Sequence, residues 1–138
     1  MANSASDYLE GKIIDHLFRT NTFTKPSVLA VALFTAAPSD SGGGTEVSTS
    51  STGYARQTLN PADANWAAPS SGNGVTSNVS AINFGTATGN WGTVTHFGIY
   101  DATSSGNLLI WDALSASKTI NSGDSFQIPA NQLTVTVS

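Results

Sequence analysis

The chain predicts a mainly β fold, an antiparallel β-sandwich or small barrel with one N-terminal α-helix. Three observations carry that expectation. Apolar residues alternate in short runs, most clearly over residues 93–100. Ser and Thr supply 36 residues and Gly and Asn another 24, a composition of strands joined by many turns. Apolar residues recur at helical spacing in one place, near the start, where Leu9, Ile13 and Leu17 are four apart. A length of 138 residues suits one domain, read here as 1–138.

The helix is expected over about residues 6–19. Ser6 is placed to cap it, and Asp7 and Glu10 suit the positive end of a helix dipole. Ile14 and Phe18 widen the apolar stripe, with Glu10, Lys12, Asp15 and Arg19 around it. Such a stripe covers a sheet or, alternatively, docks on a partner. For Leu9, Ile13 and Leu17, packing on the domain's own core is the stronger expectation.

Strands are expected from about residue 28 to 137. Val28 to Phe34 is apolar on both alternating faces and flanked by Pro26 and Pro38, which favours a fully buried strand. Residues 39–53, centred on Gly42-Gly43-Gly44, read as an exposed loop. A short strand follows at Tyr54–Leu59 with Tyr54, Arg56 and Thr58 on one face. A polar segment then runs from Trp66 to about Gly74. Asn78–Phe84 reads as a strand, and Thr93–Tyr100 places Val94, His96, Gly98 and Tyr100 opposite Thr95, Phe97 and Ile99. Ser104-Ser105-Gly106-Asn107 makes a hairpin turn into Leu108–Leu114. Asn121-Ser122-Gly123-Asp124 turns into Ser125–Ile128, and Gln132–Val137 ends the fold with Leu133, Val135 and Val137 on one face.

Composition excludes several functions. Five Lys or Arg against nine Asp or Glu give a formal net charge of −4, with no basic stripe to neutralise phosphates. No nucleic-acid partner is expected. No segment approaches the ~20 apolar residues of a membrane helix, so no membrane partner is expected. Met1-Ala2-Asn3-Ser4 lacks the basic and apolar pattern of a secretory signal. The absence of cysteine removes disulfides, thiolate metal sites and thiol nucleophiles.

Catalytic arrangements find little support. His16 neighbours Asp15 on the helix, and adjacent helical residues do not face each other. His96 with Asp101 or Asp112 lacks the nucleophile elbow that accompanies many serine hydrolases. Asp101, Asp112 and Asp124 fall at strand ends and turns rather than across a cleft. Asp101, Thr103, Ser105, Gly106 and Asp112 imitate the spacing of a calcium loop, yet Leu108-Leu109-Ile110-Trp111 reads as buried strand, and the hairpin reading prevails. Gly42-Gly43-Gly44-Thr45 lacks the ending of a phosphate-binding loop. Asn78-Val79-Ser80 matches a glycosylation acceptor, which carries no meaning without secretion. No catalytic residue, metal site or cofactor is expected.

Several blocks in fixed order resemble one family. They are Ala5-Ser6-Asp7-Tyr8-Leu9-Glu10 with Lys12-Ile13-Ile14-Asp15-His16-Leu17, then Pro26-Ser27-Val28 through Leu33-Phe34-Thr35, then Trp91-Gly92-Thr93-Val94-Thr95-His96-Phe97-Gly98-Ile99-Tyr100-Asp101, and Lys118-Thr119-Ile120-Asn121-Ser122-Gly123-Asp124. Together they resemble a family of small tailed-bacteriophage virion proteins, whose members are labelled tail fibre proteins or capsid decoration (cement) proteins. The resemblance implies a structural protein on the outer surface of the virion, made in the bacterial host cytoplasm, and no enzyme. The chain shows no shaft repeat or coil, which favours a decoration protein that binds the major capsid protein as a homotrimer or symmetric cluster. The alternative is a tail fibre or host-recognition component contacting tail proteins or a host surface glycan. Candidate interface residues are Tyr8, Leu9, Ile13 and Leu17 on the helix and Trp66 and Trp91 in the loops. The glycan alternative requires a solvent-exposed Trp66 or Trp91, since aromatic faces suit sugar rings. Strand addition at a sheet edge is a further route of attachment.

Overall fold

The computed structural model describes residues 4–69 and 73–137. The centre of the polar segment expected from Trp66 to about Gly74, residues 70–72, lies outside the described residues, as do 1–3 and 138. In chain order the elements are β1 (Ser4–Ala5), α1 (Asp7–Phe18), β2 (Ala30–Ala36), β3 (Thr45–Glu46), β4 (Gln57–Thr58), β5 (Val75–Ser77), β6 (Ile82–Thr86), β7 (Gly92–Tyr100), β8 (Leu108–Ile120), β9 (Ser125–Ile128) and β10 (Thr134–Thr136).

The principal sheet runs β1-β8-β7-β2, and the far edge of β2 is shared by β4 at Ala30 and Val31 and by β3 at Phe34 and Ala36. Every pairing is antiparallel. Two further antiparallel pairs, β5 with β10 and β6 with β9, supply the opposing layer. Val31, Leu33, Val94, Phe97, Ile99 and Ile120 of the large sheet share one core with Ile82, Phe84, Phe126, Ile128, Leu133 and Val135. The result is sandwich-like and not a closed barrel, with α1 at its N-terminal end.

β2 is the interior strand that its sequence announces: Ala30 to Phe34 are at most 1% exposed. Its outer face is crowded as well. At Gly98, on the neighbouring strand, an added Cβ would lie 2.9 Å from both Leu108 Cδ1 and Phe34 Cε2. The 101–107 connection is a hairpin turn, with Ser105 and Gly106 at positive φ and the Asp101 carboxylate accepting from the Asn107 backbone N–H (2.7 Å) and Nδ2 (2.9 Å).

Several expectations need correction. The simple alternation over β7 fails at Thr95. Val94 pairs with Lys118 while His96 pairs with Ala113, so residues 114–117 of β8 stand opposite Thr95 alone. This bulge shifts the phase of β7, and Val94 enters the core beside Phe97 and Ile99 instead of sharing a face with His96. The expected strand Asn78–Phe84 begins only at Ile82, in β6, while β5 ends before it at Ser77; between them the Asn78 side chain turns inward and binds three backbone groups. Residues 39–53 are not wholly a surface loop, since β3 forms there and Val47 and Thr52 are buried. Only Gln57–Thr58 of the expected Tyr54–Leu59 strand pairs. Val137 is 66% exposed although Leu133 and Val135 are buried, because the chain runs past the core at this point.

The helix starts as expected, with the Ser6 hydroxyl accepting from the Leu9 N–H. It does not cover the sheet: α1 has no buried residue. Ser6 fixes the start of the helix to the sheet margin. Its N–H donates to the Leu109 carbonyl (2.9 Å), its hydroxyl donates to the Leu108 carbonyl, and Asp7 N–H donates to the Asp40 carbonyl (2.9 Å). The helix therefore leaves from the β8 edge rather than lying across the strands.

Candidate functional site

Burial along α1 falls steadily from its anchored start. Tyr8 and Leu9 are half-buried, Ile13 is 37% exposed, Ile14 51%, Leu17 65% and Phe18 77%. Beside its first half lies an open groove of about 580 Å³, lined on the helix side by Leu9, Ile13 and Ile14 and on the sheet side by Ile110 and Val137. The carboxylate-bearing residues at this groove are Glu10 and Asp40. Tyr8 lies under the Lys12 ammonium, 5.5 Å from its ring centre. At the far end, Arg19 pairs with Asp15 (3.2 Å), and His16 Nδ1 accepts from the Phe23 N–H (3.1 Å), holding the chain as it leaves the helix. Leu9, Ile13 and Leu17, expected chiefly as core, are thus a surface feature, and Ile14 and Phe18 join them.

The two loop tryptophans separate. Trp91 is 5% exposed, stands edge-on to Tyr54 at 5.5 Å, and donates its indole N–H to the Thr52 carbonyl (2.9 Å). It is a core residue and offers no face to a sugar or a partner. Trp66 is half-buried, with its indole N–H donated to the Leu59 carbonyl (2.9 Å), and it borders an open depression with Lys25, Pro61, Asp63 and Pro69. The two are not brought together with α1 into one site.

A polar cluster that sequence reasoning missed lies on the β3 side of the sheet. Arg56 grips Glu46 through two bonds of 2.9 Å, stacks 3.7 Å from the Tyr100 ring centre, and donates to the Ala102 (3.0 Å) and Ser105 (2.8 Å) carbonyls. The Tyr54 hydroxyl donates to Glu46 (2.8 Å) and accepts from the Leu33 N–H (3.0 Å). Burial raises the Tyr54 and Tyr100 hydroxyls above their ordinary pKa. Burial alone would lower Arg56, but the hydrogen bonds and charge of Glu46 override it and hold the guanidinium more firmly protonated. Nothing in the sequence marks this cluster beyond an isolated Arg and Glu ten residues apart. Its donors and acceptors are engaged with one another, so it clamps loops and strands.

The remaining candidates are accounted for individually. Both Asp101 oxygens bind Asn107, which assigns that residue to the hairpin rather than to a histidine or a calcium ion. His96 Nδ1 meets the Thr95 hydroxyl at 2.8 Å. Among the described residues no group of three or more His, Cys, Asp or Glu is disposed to hold a metal. No helix among them is long and apolar enough to cross a membrane. Asn78, the nominal glycosylation acceptor, is completely buried.

A family model described as "Podophage GP4 fiber I protein gp80" matches residues 4–136. No curated protein matches the chain. The match spans β1 through β10, every element of the sandwich as well as the exposed helix, and agrees with the resemblance read from the ordered sequence blocks. The chain belongs to the Gp80 family of podophage fibre proteins and is a virion-associated structural protein of a bacteriophage.

Proposed function

We propose that the chain is a non-catalytic subunit of a podophage tail fibre, attached within its assembly through the apolar face of α1. The observation that carries this reading is the uncovered run of Ile13, Ile14, Leu17 and Phe18 on a helix fixed to the domain only at its start. Fully burying one such side chain is worth roughly 1.5–3 kcal/mol, so four of them suffice for attachment when several copies act together. The family's description as a fibre protein supports the tail over the head shell, the location that the missing shaft repeats favoured. A small domain of this kind serves as one module of a composite fibre.

Quantitative mass spectrometry of purified virions tests the location. Copy number at a small fraction of the major capsid protein is expected, whereas a number comparable with it returns the chain to the shell. Phage carrying Leu17→Glu should assemble particles that lack the chain.

Trp66 supports a second reading, contact with a host surface glycan. Its half-exposed ring beside Lys25 and Asp63 combines an apolar face with polar neighbours. Binding to a glycan array that disappears in a folded Trp66→Leu variant is the expected result for that reading. Retention of all binding by the variant removes it.

A further inference from the structure

We infer that Asn73 is a modification site, where the chain converts its own asparagine to aspartate and isoaspartate with loss of ammonia, and so loosens the end of β10. The reaction consumes water and needs no enzyme.

Asn73-Gly74 is the single Asn-Gly pair in the chain. Asparagine is thermolabile, because the backbone nitrogen of the next residue can attack its side-chain carbonyl carbon. A following glycine leaves that nitrogen without a side chain beside it. Both residues are exposed, and among the described residues nothing accepts from the Gly74 N–H. Asn73 Oδ1 accepts from the Val75 N–H at 3.4 Å, two residues on, which folds the side chain back over the Gly74 peptide. Packing also fixes the glycine: a Cβ at position 74 would collide with the Val137 carbonyl oxygen. The fold thus requires the very residue that makes Asn73 labile.

Other asparagines are protected by their surroundings. Asn121 is also exposed and precedes a small residue, but the Ser122 N–H donates to Asn90 Oδ1 (2.9 Å). At Asn78 the side chain is bound at both Oδ1 and Nδ2, and the Val79 N–H donates to the Asn65 carbonyl (2.9 Å).

In the reaction the Gly74 nitrogen gives up its proton and bonds to Asn73 Cγ. The Cγ–Nδ2 bond breaks, and Nδ2 leaves as ammonia carrying that proton. Water then opens the cyclic imide. Cleavage between the Gly74 nitrogen and Cγ yields aspartate. Cleavage between that nitrogen and the main-chain carbonyl carbon yields isoaspartate, whose backbone runs through Cβ and Cγ and is longer by a methylene. Isoaspartate displaces Gly74, whose carbonyl accepts from the Val137 N–H (2.8 Å) just beyond the β5–β10 pair. Val137 also borders the groove beside α1, so the change reaches the margin of the candidate surface.

The test incubates the purified full-length chain, folded and urea-unfolded, at mildly alkaline pH. Peptide mass spectrometry follows each asparagine, and methylation by an isoaspartyl methyltransferase reports isoaspartate. Asn73 should convert in the folded chain at close to its rate in urea, whereas folding should slow Asn121 roughly tenfold, since the Ser122 hydrogen bond must first break. In the aged chain the Val137 amide should exchange hydrogen faster than in fresh chain. An Asn73→Gln chain aged alongside should show neither change. Folding that slows Asn73 as strongly as Asn121 overturns the inference, as does conversion at Asn73 that leaves Val137 exchange unaltered.

Discussion

Asn78→Ala should remove a large part of the stability of the fold. The side chain is fully buried, and its Nδ2 donates to the Ser80 (2.9 Å) and Pro129 (3.0 Å) carbonyls while its Oδ1 accepts from the Leu133 N–H (3.0 Å). Three bonds at about 1 kcal/mol net each give about 3 kcal/mol. The Leu133 N–H, left in a segment where the residue is 2% exposed, adds about 1 kcal/mol for its lost acceptor. A total near 4 kcal/mol corresponds to a melting temperature lowered by roughly 10–15 °C for a domain of this size. Urea unfolding followed by tryptophan fluorescence measures it, since Trp91 reports directly on the core. Asn78→Asp sharpens the test. It keeps the acceptor for Leu133 but turns a charge toward two carbonyl oxygens, so at neutral pH its loss should match that of the alanine variant. In acid, protonation returns one donor and part of the stability. A loss below about 1 kcal/mol for Asn78→Ala would refute the view that this side chain ties the β5–β6 connection to the β9–β10 connection.

Three other outcomes are expected. Trp91→Ala should cost about 3–5 kcal/mol and lower the urea midpoint accordingly, because Trp91 packs on Tyr54 and donates to Thr52 within the core. Glu46→Ala should cost about 2–3 kcal/mol, seen in the same assay, by leaving the largely buried Arg56 guanidinium with only its carbonyl partners and the Tyr100 ring. Alkaline pH should destabilise the fold. The folded chain holds the Tyr54 and Tyr100 protons more tightly than the unfolded chain, so stability is full below the ordinary tyrosine pKa of about 10 and falls as pH rises beyond it. Urea midpoints compared at neutral pH and at about pH 11 check the sign, and Tyr54→Phe should flatten the slope.

The parts of the fold legible in the sequence are those written in local chemistry. Ser6 announces the helix start through its capping hydroxyl, and Asn121 to Asp124 announces β9 because the turn residues sit directly before an alternating strand. The centre of β2 is legible because an interior strand has no polar face to display. What escaped depends on partners far along the chain. The phase of β7 changes at Thr95, where four residues of β8 stand opposite one, and no pattern within β7 records this. Trp91 looked available because it follows Gly89 and Asn90 in a turn, yet Tyr54 and Thr52 enclose it from nearly forty residues upstream. The candidate surface was half legible. The apolar spacing of α1 picked out Leu9, Ile13 and Leu17, but amphipathicity alone does not say whether a stripe faces the chain's own sheet or the outside. The anchoring of Ser6 to Leu108 and Leu109 decides that, and it lies 102 residues away in sequence.

The same anchor sets an order of events during synthesis. Ser4 to Phe18 emerge early, but the carbonyl that receives the Ser6 hydroxyl belongs to Leu108, and the sheet side of the groove is completed by Ile110 and Val137. Contacts this distant in sequence form late, because a long loop must close before they contribute. A nascent or truncated chain therefore exposes the helix before the sheet side of the groove beside it exists. Only a chain that has reached β10 and docked β1 presents α1 in its anchored position, so under the proposed attachment through α1 the competence to join an assembly reports that folding is complete.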